Sequence, residues 1–266
     1  MNLTNYPQRV WAECTRDRED DASYPGDALF PAMTNGEEFS MVKVAIIFHS
    51  RSGNIFQLAA AAASAAKKAG AEPQLFKVPE LPDPMVLDRE AYTELGTATS
   101  DIPVATLDDL VAADAIMIGT PVHFGLPAPQ ILDFVDRSGP VAIPGKLANK
   151  VATVFASGSA AHAGQQTAIL ALHNVLCHWG CLIVPNGSSV EILASEHNGS
   201  PYGTCSISRH APNNVHEDNV KAIEYQALRL VEVATAYQTG LQQQESAIDF
   251  VTFDFLLKKF PRLSVG

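Results

Sequence analysis

Short apolar runs alternate with helical segments along most of this chain, and this alternation restricts the possible folds more than any other feature. Residues 42–48 are apolar and rich in β-branched side chains, a polar turn follows, and residues 55–69 form an alanine-rich segment with high helix propensity. Gly70 stands where a glycine commonly ends a helix. A continuous apolar run of this kind is typical of a strand buried on both faces of a parallel sheet.

The same alternation continues towards the C-terminus. Further strands are predicted at 73–78, 115–119, 150–155 and 181–185, and further helices at 107–112, 129–136, 165–179 and 215–237. Residues 79–106 contain four prolines and little periodicity, so they are predicted to be an irregular connection. The pattern predicts an α/β fold with a five-stranded parallel sheet, of order 2-1-3-4-5, and helices on both faces.

The chain divides by composition into three parts. Residues 1–40 mix charge, proline, glycine and asparagine without a regular period, and we predict an N-terminal extension. Residues 41–238 form the predicted α/β domain. Residues 239–266 form a predicted C-terminal extension dense in phenylalanine and leucine. Because such a segment would expose a large apolar patch in water, we expect it to dock on its own domain or on a second copy rather than on a membrane.

The charge of the chain restricts its partners. The formal net charge is −11 and the pI is near 5.1, so the surface repels phosphate backbones and anionic lipid. Neither nucleic acid nor stable membrane insertion is expected, and no apolar run reaches the ~18 residues of a membrane span. Residues 1–40 lack the pattern of a secretory signal, and four cysteines predict no disulfide framework. We therefore expect a reducing, cytoplasmic environment.

The polar turn after the first predicted strand is the strongest candidate site. It comprises Ser50, Arg51, Ser52, Gly53, Asn54 and Ile55. A glycine-containing turn at a helix N-terminus offers backbone N–H groups and the positive end of the helix dipole, and the hydroxyl and amide side chains add donors. The chain has neither a GxxxxGK[ST] nor a GxGxxG motif, which disfavours a P-loop or a dinucleotide fingerprint. We predict a phosphate site; the alternative is an ordinary polar turn.

Two further loops follow the third and fourth predicted strands. One comprises Pro121, Val122, His123, Phe124 and Gly125, and the other comprises Ser157, Gly158, Ser159, Ala160, Ala161 and His162. In a sheet of this order the winding reverses between strands one and three, and ligands bind in the crevice at that point. We expect Phe124 to offer a flat apolar wall to a planar ring, with backbone groups nearby making polar contacts. The alternative is an aromatic side chain packed into the core.

Two other groups of reactive side chains are not expected to form sites. His173, Cys177 and Cys181 have helical spacing. Because Gly180 is expected to end the helix before the last of them, and because no CxxC pair is present, no metal site is predicted. The serines of the loop after the fourth strand do not form a GxSxG nucleophile elbow, so a hydrolase is not expected.

Six sequence blocks occur in order and at matching intervals. They are SRSGNI at Ser50, GTPVHFG at Gly119, PGKLA at Pro144, VFASGS at Val154, LCHWGCLIVP at Leu176 and SPYG at Ser200. Together they resemble the WrbA-type NAD(P)H:quinone oxidoreductases, a flavodoxin-like family. The resemblance runs from about residue 42 to residue 237. It implies a flavodoxin-like fold, FMN as cofactor, NADH or NADPH as electron donor, a quinone-like acceptor, and assembly as a homodimer or homotetramer.

The resemblance also implies roles for individual residues. It places the FMN phosphate on residues 50–55 and the edge of the flavin ring on residues 122–124, with the loop at 157–162 beside it. A family histidine near the flavin, often from a neighbouring subunit, matches His178, the candidate catalytic residue. The chain departs from the family at each of these loops: the family often has an aromatic residue at Ser52, it has arginine at His123, and its glycine-rich third loop has slimmer residues than Ala160, Ala161 and His162.

The function predicted on this resemblance is FMN-dependent NAD(P)H oxidation with two-electron reduction of quinones or similar electron-poor aromatics. Two alternatives stay open. One is a flavodoxin-type electron carrier, since acidity suits docking on basic partners. The other is a cofactor-free scaffold or regulator with the same fold.

Overall fold

The computed structural model of the protein describes residues 41–82, 86 and 88–243, and its centre is a parallel sheet. The four long strands are β1 (Lys43–Phe48), β2 (Glu72–Lys77), β3 (Ala115–His123) and β5 (Val151–Gly158). They lie side by side in the order β2-β1-β3-β5, all parallel. This arrangement confirms the predicted α/β sheet and its reversal of winding between β1 and β3.

The edge of the sheet beyond β5 differs from the prediction of one strand at 181–185. Two short strands, β6 (Leu182–Ile183) and β7 (Cys205–Ile207), pair in parallel with the start and the end of β5. Pro185 lacks the N–H that a continuing strand would donate, so the chain leaves the sheet there and returns at β7. The insert between them contains a 3-10 turn at Glu191–Ala194.

β3 is longer than the predicted 115–119 because its end folds into a hairpin. The two-residue strand β4 (Leu126–Pro127) pairs antiparallel with Val122 and His123. Phe124 and Gly125 form the tip, and both have positive φ angles. The second predicted loop is therefore a short hairpin.

Helices connect the strands. Within the described residues they are α1 (Asn54–Lys68), α2 (Arg89–Ala98), α3 (Leu107–Ala112), α4 (Pro129–Asp136), α5 (Gly139–Ala142), α6 (Gln165–Trp179) and α7 (Glu217–Gln242). α3, α4 and α6 have the predicted bounds. α2 corrects the prediction of an irregular connection over 79–106. The carboxylate of Asp88 accepts the Ala91 N–H at 3.0 Å, and Ala91 and Leu95 are buried one turn apart.

The two faces of the sheet carry separate hydrophobic cores. Alternate residues of β1 point to opposite faces: Ile46 packs with α1 and α7, and Ile47 packs with α3, α4 and α6. Alanines such as Ala62 and Ala227 are fully buried where α1 meets α7, and their small size lets the helices pack closely. With both faces covered, ligands have access at the carboxyl ends of the strands.

Two predictions about the ends of the chain lie outside this structure. The N-terminal extension at 1–40 falls entirely outside the described residues, as does most of the C-terminal extension, from residue 244 onward. The helix predicted over 215–237 reaches Gln242. Across 41–82, 86 and 88–243, no helix combines the length and apolar character needed to cross a bilayer.

Candidate functional site

The three predicted loops follow the neighbouring strands β1, β3 and β5. Phe48 lies opposite Gly119, which lies opposite Phe155, and the N–H of His49 donates to the Gly119 carbonyl at 3.1 Å. Gly119 allows a close approach here, since a Cβ would overlap the Phe155 ring and lie 3.0 Å from Ile55 Cγ2. The start of α1 is thereby held against the ends of β3 and β5.

The first loop keeps its donors available for an anion. Ser50 Oγ accepts the Phe56 N–H at 3.3 Å, and Ser52 Oγ accepts a hydrogen bond from Asn54 Nδ2 at 3.0 Å. Each hydroxyl hydrogen can therefore still be donated outward. The N-cap residue of α1, Gly53, has no side chain that could cap the helix, and the first turn contains no acidic residue. Unpaired N–H groups at such a terminus favour a negatively charged group, and phosphate is one.

A fourth loop, residues 208–214, fixes the first loop from one side. The buried side chain of Asn54 donates to the Ala211 carbonyl at 3.1 Å and accepts the Asn214 N–H at 2.8 Å. The Asn213 N–H donates to the Ser52 carbonyl at 2.8 Å. The one local signal of this loop in the sequence was its polar APNN segment, which does not reveal what the loop contacts.

Position 53 requires glycine because of its backbone conformation and because of the side chain that lies against it. Its φ is 85°, and a Cβ at this position would overlap the side chain of Asn213. An L-residue there would be strained and would also displace the fourth loop. The conformation of this turn is therefore under tertiary as well as local constraint.

The second and third loops touch each other. Pro121 lies opposite Ser157, which is buried, and a Cβ on Gly164 would lie only 2.6 Å from the Gly125 Cα. Phe124 projects from the hairpin tip with its ring fully exposed. Its predicted role as a wall for a planar ring stays a prediction, because within the described residues no neighbour covers it.

The third loop is exposed from Ala160 to His162, and the side chain of Gln165 fixes it by a hydrogen bond. The side-chain amide of this buried glutamine donates to the Ala160 carbonyl at 2.7 Å and to the Ser206 carbonyl at 3.2 Å. Gln165 thus joins the loop to β7. Sequence reasoning missed this contact because it depends on β7 reaching the sheet edge.

A hydrogen bond joins the first loop to the second. Arg51 Nη1 donates to His123 Nε2 at 3.1 Å. This geometry requires an unprotonated Nε2, and partial burial together with the guanidinium holds the pKa of His123 below its usual 6.5. The positive charge that the resemblance implies at residue 123 is therefore present beside it, on Arg51.

A polar network that the sequence did not reveal lies behind the first loop. The Glu80 carboxylate accepts hydrogen bonds from Tyr92 Oη at 2.8 Å and from the Gln130 amide. Burial favours the neutral acid, but these bonds and a backbone N–H hold the pKa of Glu80 below its usual value. Burial, reinforced by Arg51 and opposed by Glu80, lowers the pKa of His49 to about 4. His49 is therefore neutral near pH 7.

The structure does not bring His178 to these loops within one chain. It is exposed near the C-terminal end of α6, which runs back from the crevice. Just beyond it, the Leu182 N–H donates to the Lys150 carbonyl, next to the start of β5. The start of β5 is at the opposite end of the sheet from the crevice, roughly 20 Å away along the strand at its usual rise per residue. Its action from a neighbouring subunit stays a prediction.

The sheet order and the crevice at the switch point define a flavodoxin-like α/β protein. Residues 42–192 match the family described as NADPH-dependent FMN reductase. A relative named NAD(P)H dehydrogenase (quinone) from Aromatoleum aromaticum is 36% identical over 204 residues, covering 75% of this chain and 99% of the relative. One of the same name from Geobacter sulfurreducens is 39% identical over 171 residues, covering 63% and 84%.

A solved structure shows the same fold. The flavodoxin, WrbA-like protein from Agrobacterium tumefaciens matches with a TM-score of 0.53 and 19% identity, over 73% of this chain and 98% of that one. The chain belongs to the NADPH-dependent FMN reductase family. The predicted family resemblance and flavodoxin-like fold are confirmed.

The residues of the crevice fit FMN. A helix N-terminus with no acidic residue in its first turn, together with two serine hydroxyls, suits a phosphate group. The contacting second and third loops border the remainder of the crevice.

Proposed function

We propose that this protein is an FMN-dependent NAD(P)H oxidoreductase that reduces quinones or similar electron-poor aromatics by two-electron transfer. The observation that carries the proposal is the hydrogen bond from Arg51 to His123, because it joins the first loop to the second across the topological switch point. The relatives named NAD(P)H dehydrogenase (quinone), which this chain matches over three quarters of its length, support the activity.

Each loop has a distinct task in this proposal. The amides and hydroxyls of residues 50–55 bind the phosphate, and residues 121–125 and 157–162 hold the ring. FMN supplies the two-electron redox chemistry when it is bound. The protein residues bind, orient and shield, and no side-chain general base is needed. Since His49 is neutral near pH 7, the positive charge next to this region is on Arg51.

The proposal includes assembly into a homodimer or homotetramer. Phe124 is fully exposed and His178 lies at the far end of the sheet from the crevice. A neighbouring copy could cover the first and contribute the second to its partner's crevice. NAD(P)H and a planar acceptor would then share a ring face that two chains enclose.

The visible spectrum of the purified full chain tests the activity. We expect a yellow protein that NADPH or NADH bleaches directly in the absence of oxygen, and that added 1,4-benzoquinone restores with one quinone consumed per donor. An electron carrier would stay yellow until a separate reductase was added. A cofactor-free scaffold would stay colourless when FMN was supplied.

A charge placed in the first loop tests the phosphate assignment. Ser52→Asp puts a carboxylate beside the proposed phosphate, and like charges in contact cost several kcal/mol, so we expect FMN affinity to fall by about tenfold or more. An acidic residue near a helix N-terminus stabilises the helix, so the fold should be retained. Ser100→Asp makes the same change at an exposed turn after α2 and should leave FMN affinity unchanged. If Ser52→Asp and Ser100→Asp bound FMN with equal affinity, the assignment of the phosphate to this loop would be wrong.

A further inference from the structure

Two histidines and an aspartate from separate segments meet on the surface outside the crevice. The rings of His197 and His216 stack with centroids 3.6 Å apart and planes at 26°. Ligand atoms of these two residues and of Asp218 all lie within 4.8 Å of one another. His197 belongs to the insert between β6 and β7, whereas the other two residues begin α7.

Side-chain amides hold the two segments together. The Asn219 side chain is buried and donates to the His197 carbonyl and to Asn198 Oδ1, both at 2.8 Å. Asn198 in turn donates to the Asp218 carbonyl at 2.9 Å. Ser195 Oγ donates to Asp218 Oδ2 at 2.6 Å and orients that carboxylate. The bond from Ser195 is of the kind that orients ligand side chains in metal sites, and the amide bonds hold the two segments together before any ion binds.

The donor set selects a class of ion. Imidazole nitrogen suits zinc and its neighbours, whereas magnesium and calcium prefer oxygen donors throughout. Glu196 Oε1 lies 3.5 Å from His197 Nε2 and is placed to supply a second carboxylate. Ligand atoms around tetrahedral zinc are roughly 3.3 Å apart. The inward movement required falls to the exposed His216 ring, whose Nδ1 accepts the Asp218 N–H at 3.2 Å and lies 3.7 Å from Asp218 Oδ2.

We propose that His197, His216 and Asp218 bind a divalent transition-metal ion of the zinc class. The ion would join the insert to the start of α7. Because α7 follows directly on the 208–214 loop that hydrogen-bonds to the first loop, the ion would also fix the far end of that loop. The sequence predicted no metal site because it shows no ligand spacing here; only folding brings the two imidazoles together.

Zinc titration of the full chain tests the site. Isothermal titration with ZnCl₂ should show a site that weakens by about tenfold or more in His197→Phe. The phenyl ring can keep the stacking on His216 but cannot bind the ion. His216→Asn should weaken the site equally, and asparagine still suits the cap of α7. His210→Ala, which removes an exposed histidine outside the cluster, should bind zinc like the original chain.

Two independent measurements accompany the titration. Zinc at a hundredfold excess over Kd should raise Tm by about 5 °C in the original chain and not in His197→Phe. Cobalt(II) should give visible absorption bands that the same substitution removes. If the original chain and His197→Phe bind zinc with the same affinity, or if neither binds it, the proposal is overturned. Loss of binding in His210→Ala as large as in His197→Phe would also overturn it.

Discussion

The two halves of the crevice are built differently. On the side of the proposed phosphate site, called the phosphate side below, the first loop is fixed by hydrogen bonds to residues 208–214, by the buried side chain of Asn54 and by a glycine that no other residue can replace without strain. On the ring side, Phe124 is fully exposed and residues 160–162 face solvent. One half is complete within a single chain, and the other presents its apolar surface outward.

This difference between the two halves of the crevice indicates that they contribute differently to ligand binding. A phosphate site needs donors in fixed positions, and preorganised donors do not have to be rearranged when the anion binds. The ring side must admit a donor and an acceptor of different shapes, so an open surface that a ligand or a second subunit can cover is useful there. Substitutions that break the internal contacts of the first loop should therefore reduce stability and cofactor binding together, and those on the ring side should change acceptor binding or assembly with little effect on stability.

Gly53→Ala should have the largest effect. The φ of 85° costs an alanine about 1–2 kcal/mol, and displacing Asn213 costs about 1–2 kcal/mol more through its lost hydrogen bond to Ser52. We expect the free energy of unfolding to fall by about 3 kcal/mol and FMN binding to be largely lost. Urea unfolding and FMN titration of the apoprotein measure both.

Gly70→Ala is the matched control for this substitution. Gly70 has nearly the same φ, 82°, but a Cβ there would meet no atom within 4 Å. It should lose only the strain of about 1–2 kcal/mol and should bind FMN normally. If Gly70→Ala were as damaging as Gly53→Ala, the contact with Asn213 would have no special importance.

Asn54→Ala should rank second. It removes a buried amide that holds residues 208–214, and it leaves the Asn214 N–H and the Ala211 carbonyl without that partner. A loss of about 2 kcal/mol in the free energy of unfolding is expected, with weaker FMN binding. Asn174→Ala, the same change at an exposed position on α6, should have little effect on either quantity. An unchanged FMN affinity in Asn54→Ala would argue against the fourth loop as a support for the phosphate side.

His49 gives the phosphate side a dependence on pH. Its pKa is about 4 in the folded protein and about 6.5 when unfolded, so between these values only the unfolded chain takes up the proton. The free energy of unfolding should therefore fall as the pH falls, by about 2 kcal/mol from this group between pH 7 and pH 5. Urea unfolding of His49→Gln should show a flatter pH profile. A profile parallel to that of the original chain would contradict the burial argument.

The sequence predicted the turn between β1 and α1 from local pattern, and its role as a phosphate site stays a prediction. Residues 50–55 were recognisable because a polar, glycine-containing turn stands between an apolar run and an alanine-rich helix. The support given by Asn213, Gln165 and Glu80 was not predictable, because each contacts a segment distant in the chain. The interrupted sheet edge was missed for a similar reason. A run of apolar residues at 181–185 does not show that the strand ends early and that β7 continues the edge.

The smallest effect on stability should come from Phe124→Ala, and it tests the open half most directly. A ring that is fully exposed in one chain contributes almost nothing to folding, so the free energy of unfolding should change by less than about 0.5 kcal/mol. If the ring covers a bound acceptor or meets a second subunit, steady-state kinetics should show a higher KM for the quinone, or gel filtration a weaker assembly. Leu126→Ala alters a half-exposed residue on the same hairpin and should leave both unchanged. Phe124→Ala could instead destabilise the fold and leave KM and assembly unchanged. The ring side would then be held by internal contacts like the phosphate side, and the proposed difference between the two sides would be wrong.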